Sequence, residues 1–192
     1  MKIGIVVGSI RDRRRGEPVG EWVGAIASQR TDASFEMLDV RDFDLPMLTA
    51  PIGPAVANRE YESETVRRWS AAIDACDGFV FVTPEYNHGV PGAFKNAFDL
   101  LAPEWQHKTV GFVSYGSVGG VRAVEQWRQI VGTFQMQDLV DNVTIRNVTE
   151  FDEQWELVPS ESRDLALHKL LDNLVTTTRI RLLGEAALNA AN

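Results

Sequence analysis

The sequence predicts an α/β protein in which helices cover both faces of a parallel sheet. Three observations carry that prediction. Continuous apolar runs recur at Ile3–Val7 and Phe79–Val82, and Val110–Ser114 reads as a third buried strand; each is followed by turn residues. Segments with apolar residues at helical spacing lie between them. Loops of unusual composition follow the runs, at Ser9–Glu17, Thr83–Pro91 and Tyr115–Gly120. Uniformly apolar strands belong to sheets buried on both faces, and alternating strands and helices imply right-handed crossovers.

The elements follow in order. After the first strand and its polar loop, Val19, Trp22, Val23 and Ile26 recur at helical spacing, with Pro18 suited to a first turn. Ser34–Leu38 reads as a second strand, and Pro46, Pro51, Gly53 and Pro54 mark a loop. Glu60–Ala75 reads as a helix with Val66, Trp69 and Ile73 on one face. Phe79–Val82 ends at Thr83-Pro84, and Pro91-Gly92 opens a short helix with Phe94, Ala97, Phe98 and Leu101 in register. The third buried strand precedes Tyr115-Gly116-Ser117-Val118-Gly119-Gly120 and a helix reaching about Phe134. Val140–Ile145 is the last predicted strand. Ser160 to about Ala187 is a closing helix with Leu167, Leu170, Leu171 and Leu174 in a stripe.

The chain of 192 residues suits one domain, 1–192, without repeats, linkers or low-complexity tracts. Its net charge of −8 argues against non-specific binding of nucleic acid or of an anionic membrane. No apolar run approaches the ~20 residues that span a bilayer. The apolar start at Met1–Gly8 is too short for a signal segment and is followed by arginines. One cysteine, Cys76, leaves no internal disulfide framework and fits a reducing cytoplasm. Cys76 sits on a helix and reads as a small core residue.

In doubly wound sheets ligands bind beyond the carboxyl ends of the strands, at the switch in strand order. That rule selects the same three loops. The first holds the one arginine cluster of an acidic chain, between a buried strand and a helix start, where free N–H groups attract anions. Ser9 and Arg11 read as phosphate ligands, whereas Arg13 and Arg14 read as a solvated basic turn. The loop has neither the Gly-x-Gly-x-x-Gly dinucleotide pattern nor the Gly-Lys-Ser/Thr of a P-loop. The second loop offers Tyr86, Asn87 and backbone N–H groups for the edge of a flat heterocycle. In the third, Gly119 and Gly120 allow close approach and Ser117 donates. Taken singly, Pro84, Gly89, Pro91 and Gly92 serve turn chemistry; their shared place at the switch point makes the group functional. Glu85 reads as a structural or oligomer contact before an acid or base. His88, His107 and His168 stand apart, without a partner at metal-ligand spacing.

These residues resemble the NADPH-dependent FMN reductases, which include quinone, azo-dye and chromate reductases. The resemblance rests on Gly8-Ser9-x-Arg11 and on Asp39-x-Arg41-Asp42-Phe43-x-Leu45-Pro46. It also rests on Thr83-Pro84-Glu85-Tyr86-Asn87 with Pro91-Gly92-x-Phe94-Lys95-Asn96-Ala97-x-Asp99, and on Ser114-Tyr115-Gly116-Ser117-x-x-Gly120-x-Arg122-Ala123. It runs from Met1 to about Val148. It implies a flavodoxin-like doubly wound five-stranded parallel sheet of order 2-1-3-4-5, with FMN held non-covalently and NADPH or NADH as electron donor. It assigns the phosphate to Ser9, Arg11 and the turn Arg15, Gly16, Glu17, Pro18. It assigns the flavin edge to Pro84, Glu85, Tyr86 and Asn87, and its surroundings to Tyr115, Gly116, Ser117, Gly119 and Gly120. Many members place a serine and an asparagine late in the phosphate loop, where this chain has Arg15-Gly16-Glu17. Arg15 or the backbone alone then supplies those contacts.

The expected reaction is two-electron, ping-pong transfer through FMN to a small acceptor: a quinone, azo compound, metal oxyanion or free flavin. No side chain is expected to act as acid or base. The alternatives on the same fold are a one-electron carrier and a flavin-free interaction module. A homodimer or homotetramer is expected. The helix at Pro91-Gly92 carries Phe94, Phe98 and Leu101, with Ala93 and Ala97 permitting close approach. The closing helix adds Leu174, Leu182, Leu183 and Leu188.

Overall fold

The structure, a computed structural model, describes residues 1–191. Five strands form one sheet: β1 (Lys2–Val7), β2 (Ser34–Asp39), β3 (Gly78–Pro84), β4 (Thr109–Gly116) and β5 (Gln137–Arg146). Every pairing is parallel and the order is β2-β1-β3-β4-β5. The helices are α1 (Gly16–Ala27), α2 (Pro54–Ala57), α3 (Glu64–Asp74), α4 (Gly92–Asp99), α5 (Val121–Val131) and α6 (Glu161–Ala191).

Alternation along the strands divides the core into two layers. Phe79, Phe81 and Phe112 point to one face, where α3, α4 and α5 bring Trp69, Phe94, Phe98 and Trp127, with Trp105 from the following loop. Ile3, Ile5, Val80, Val82 and Val113 point to the other, against Val19 and Val23 of α1 and the leucine stripe of α6. All eight residues of β4 and all seven of β3 are buried, so these central strands are apolar along most of their length, with Thr83, Thr109 and Ser114 the buried polar exceptions.

The structure moves several predicted boundaries. The third helix starts at Glu64 instead of Glu60, because Ser63 caps it by accepting from Val66 N at 3.5 Å. The strand predicted from Val140 begins at Gln137, because an edge strand pairs through backbone whatever its side chains are. A 3₁₀ turn, Val40–Phe43, precedes the predicted proline loop, and the single-turn α2 begins at the loop's last marker, Pro54. The predicted association surface is also largely filled. Phe94, Phe98 and Leu101 are buried against the sheet, as is Leu174. Only the far end of α6, with Leu183 and Leu188, keeps apolar side chains outside.

Candidate functional site

The loops after β1, β3 and β4 meet at the carboxyl edge of the sheet. Loop one is tied down first. The Arg14 guanidinium donates to the Ser9 carbonyl and to both oxygens of Asp39, with Nη1 to Oδ1 at 2.8 Å. Asp39 ends β2 and lies beside Val7 in register, so this pair locks the loop onto the neighbouring strand. Arg13 is exposed, in keeping with a solvated turn, but the Arg14 side chain is only 5% exposed. The expectation for Arg14 is therefore corrected: it is a structural clamp, and its partner sits on a different strand.

The three loops converge on a group of hydroxyls. Ser9, buried, has its Oγ 2.7 Å from the Tyr86 hydroxyl. The Arg11 guanidinium lies over the Tyr86 ring at 5.7 Å. Tyr115, from the end of β4, is buried, and among the described residues its hydroxyl has no hydrogen-bond partner. Burial first, and the neighbouring Tyr86 second, push its phenol above the ordinary range, so it stays neutral and able to donate. Gly16 makes this approach possible. A Cβ there would stand 2.6 Å from the Tyr115 hydroxyl.

Between these groups lies a cavity of about 100 Å³. Arg11, Arg14 and Arg15 line it together with Tyr86, Tyr115 and Trp155; Pro84, Glu85, Arg13 and Asn147 complete it. Arg14 Nε, Arg15 Nε and Asn147 Oδ1 are buried there without a partner among the described residues. Buried polar groups are normally bonded. The two orphaned arginine donors and the Tyr115 hydroxyl around one small cavity mark a site for a ligand rich in acceptors, while Asn147 Oδ1 could only accept.

The second and third loops are held by each other. Tyr86 and Gly89 exchange backbone hydrogen bonds at 3.1 Å in each direction. Asn87 and His88 between them both have positive φ, 48° and 72°, as a type I′ turn requires. Gln126 of α5 clamps this turn, accepting from Val90 N at 3.0 Å and donating to His88 O at 3.1 Å. Glu85 accepts from Arg122 N at 3.0 Å and pairs with the Arg122 guanidinium at 3.2 Å. Its carboxylate anchors the start of α5, the structural role expected of it. Gly119 and Gly120 have φ of 86° and 77°, and Ser114 Oγ donates to Gly119 O at 2.7 Å. Only glycine takes such a pair of turns freely.

The structure thus brings Ser9, Arg11, Arg15, Gly16, Pro84, Glu85, Tyr86 and Tyr115 together. Gly116, Gly119 and Gly120 lie buried just behind them. Asn87 sits at the exposed tip of its turn, and Ser117 is exposed on the third loop. Glu17 and Pro18 face away, into an outer groove shared with Glu21 and Glu153. Sequence reasoning missed Asn147 and Trp155, both from the β5–α6 connection, and Gln126. Asn147 had a usable signal, since it follows the carboxyl end of a strand. Trp155 had none, because its loop returns to the site only through the fold. No helix among the described residues is long and apolar enough to cross a membrane, and no acidic, histidine or cysteine group there could hold a metal ion.

A five-stranded sheet of this order, with an anion cavity and glycine-lined loops at its switch point, defines a flavodoxin-like α/β protein. Residues 1–150 match the family described as NADPH-dependent FMN reductase, and the chain belongs to that family. It is 43% identical over 129 residues to the NAD(P)H-dependent FMN reductase ntnL of Nectria sp., covering 65% of this chain and 64% of that one. It is 30% identical over 190 residues to the NAD(P)H-dependent FMN reductase LOT6 of Saccharomyces cerevisiae, covering 93% and 99%. Its fold is similar to that of FerB, a flavoenzyme NAD(P)H:(acceptor) oxidoreductase of Paracoccus denitrificans, with a TM-score of 0.72 at 19% identity, covering 93% and 97%. The donors around the cavity fit the phosphate of FMN. The flavin ring, too large for it, would lie outside, toward the second and third loops.

Proposed function

We propose that this protein is an FMN-dependent NAD(P)H oxidoreductase that delivers two electrons to a small acceptor such as a quinone. The observation that carries the reading is the meeting of Ser9, Tyr86 and Tyr115 hydroxyls with Arg11 at one cavity. Bound FMN supplies the reversible acceptance and release of hydride. The protein's part is placement. Ser9, Arg11, Arg15 and the first N–H groups of α1 hold the phosphate, and Tyr115 donates beside them. Pro84 to Asn87 and Ser117 to Gly120 are the residues that would border the ring.

Glu85 takes no part in proton transfer, because both of its oxygens are engaged by Arg122. Donor and acceptor would bind in turn, in a two-electron, ping-pong exchange. Steady-state kinetics with NADPH and a quinone therefore give parallel double-reciprocal lines. Intersecting lines point to a different mechanism.

We place the protein in a reducing, cytoplasmic compartment, on its single buried thiol. It assembles as a homodimer or homotetramer. The supporting surface is the stretch between β2 and α3, where Met47 is 71%, Ile52 55% and Val56 80% exposed beside an apolar groove of about 520 Å³.

A further inference from the structure

The connection between β5 and α6 is held in one shape by its own bonds. Phe151 and Leu157 form an antiparallel bridge. Within it, Asp152 Oδ1 accepts from Gln154 N and Glu156 N, each at 2.9 Å, while Trp155 N donates to Asp152 O at 3.1 Å. Arg163 of α6 pins the base, donating to Glu150 Oε1 at 3.0 Å and to the Val158 carbonyl. The strap therefore has a fixed geometry, and what it presents is an aromatic clamp. The Arg15 guanidinium carbon lies 4.4 Å from the Trp155 ring centre and 5.2 Å from that of Phe151.

Trp155 of the clamp stands between the arginine cavity and the outer groove and lines both. At the cavity, Arg15 Nε is buried without a partner among the described residues. Tyr115, only 4% exposed, brings its own unpartnered hydroxyl to the same cavity. On its other side Trp155 lines the outer groove of about 550 Å³, which carries Glu17, Glu21, Glu153 and Glu156 together with Arg13 and Arg14. A single phosphate group in the cavity would meet arginines, while anything extending past Trp155 would meet a surplus of carboxylates.

We propose that Trp155 and Arg15 form the end stop of the cofactor site and set its choice of flavin. The inference rests on the FMN reading given above. Arg15, oriented between two rings, is the phosphate ligand on the side where this chain has no late-loop hydroxyl. Trp155 is a positioning residue that acts through Arg15 and closes the site behind a terminal phosphate monoester. The glutamates beyond it disfavour a second phosphate. The site thus prefers FMN over riboflavin, which has no phosphate, and over FAD, whose diphosphate must continue past the stop. Trp155 lies outside residues 1–150, the stretch matched by the family.

The test is titration of flavin-free protein with FMN, riboflavin and FAD, read by flavin fluorescence. Trp155→Ala should weaken FMN binding about 3- to 30-fold, the range for loss of a cation–π contact. Riboflavin affinity should stay within about twofold, since the contact serves the phosphate alone. Trp155→Phe should restore most of the FMN affinity. Glu153→Gln with Glu156→Gln, both exposed positions, should tighten FAD about threefold or more with the fold intact. FMN and riboflavin weakening together in Trp155→Ala would show a structural role only and overturn the proposal. So would an unchanged FMN-to-FAD ratio in the glutamate variant, which remains decisive even where Trp155→Ala fails to fold. Wild-type protein that binds none of the three flavins would instead overturn the FMN reading itself.

Discussion

Arg11 and Arg13 share one loop and meet different surroundings. Both are exposed at the rim of the cavity, but Arg11 lies over the Tyr86 ring, whereas Arg13 sits at a positive φ of 49° without such a contact. A charge-assisted phosphate contact is worth roughly 1.5–3 kcal/mol, so Arg11→Ala should weaken FMN binding about 10- to 150-fold. Arg13→Ala should cost under about 1 kcal/mol. Equal losses in the two titrations would remove Arg11 from its assigned role. Tyr115 makes a sharper case. Its buried hydroxyl lacks a partner, so Tyr115→Phe should stabilise the flavin-free protein by about 1 kcal/mol, a rise of roughly 2–4 °C in Tm, while weakening FMN binding. Thermal melts with and without FMN read both effects; a variant less stable without flavin would contradict this account of the site. At this scale the sequence revealed chemistry better than partners. Ser9 and Arg11 were legible because a strand end, a helix start and an anion-binding side chain coincide. Arg14 was not, because nothing local shows that Asp39 lies beside it.

Among the elements, the strands were more legible than their ends. Phe79–Val82 and Val110–Val113 carry no polar side chain because both sheet faces are covered, and that cause is visible in composition. The start of β5 is not, since Gln137 and Asp138 pair with Thr109 and Val110 by backbone alone. The strap carrying Trp155 has no periodic pattern at all. Its shape comes from Asp152 and Arg163, which act across a turn and a helix. Element junctions also hold the chain's clearest pH response. Lys108, just before β4, donates to the Ile73 and Asp74 carbonyls at the end of α3, at 2.9 and 3.1 Å. Burial pushes its ammonium from 10.5 down to about 8. The charged form therefore opposes folding at neutral pH, and that penalty fades as pH rises from about 8 to 10.5. Compared with Lys108→Met, the wild type should gain stability over that interval, by no more than about 3 kcal/mol. Denaturant midpoints at several pH values measure it, and a constant gap would contradict the assigned cause.

For the whole molecule, the reading joins an acidic surface to a cationic notch. The net charge is −8, yet four of the five positions from 11 to 15 place arginines at one cavity. Such a field draws anionic cofactors to one edge of the sheet. Association belongs to this scale as well. The α4 side predicted from sequence is used up by the core, because spacing shows that Phe94 and Phe98 share a face but not what covers it. Apolar surface remains at the far end of α6, with Leu183 and Leu188, and at Met47, Ile52 and Val56, which flank a groove. Light scattering should give at least twice the 21.4 kDa of one chain, and Val56→Glu should shift it toward the monomer. A wild-type monomer with full activity would remove that surface from the account.

The central claim is that three loops at one sheet edge form an FMN site, and the most direct measurement is FMN binding itself. Purified protein should be yellow and release FMN on denaturation. Flavin-free protein titrated with FMN should quench the flavin fluorescence to saturation and shift its visible spectrum, and Arg11→Ala should require a higher FMN concentration to reach the same end point. A titration that leaves both the fluorescence and the spectrum of FMN unchanged would contradict the account.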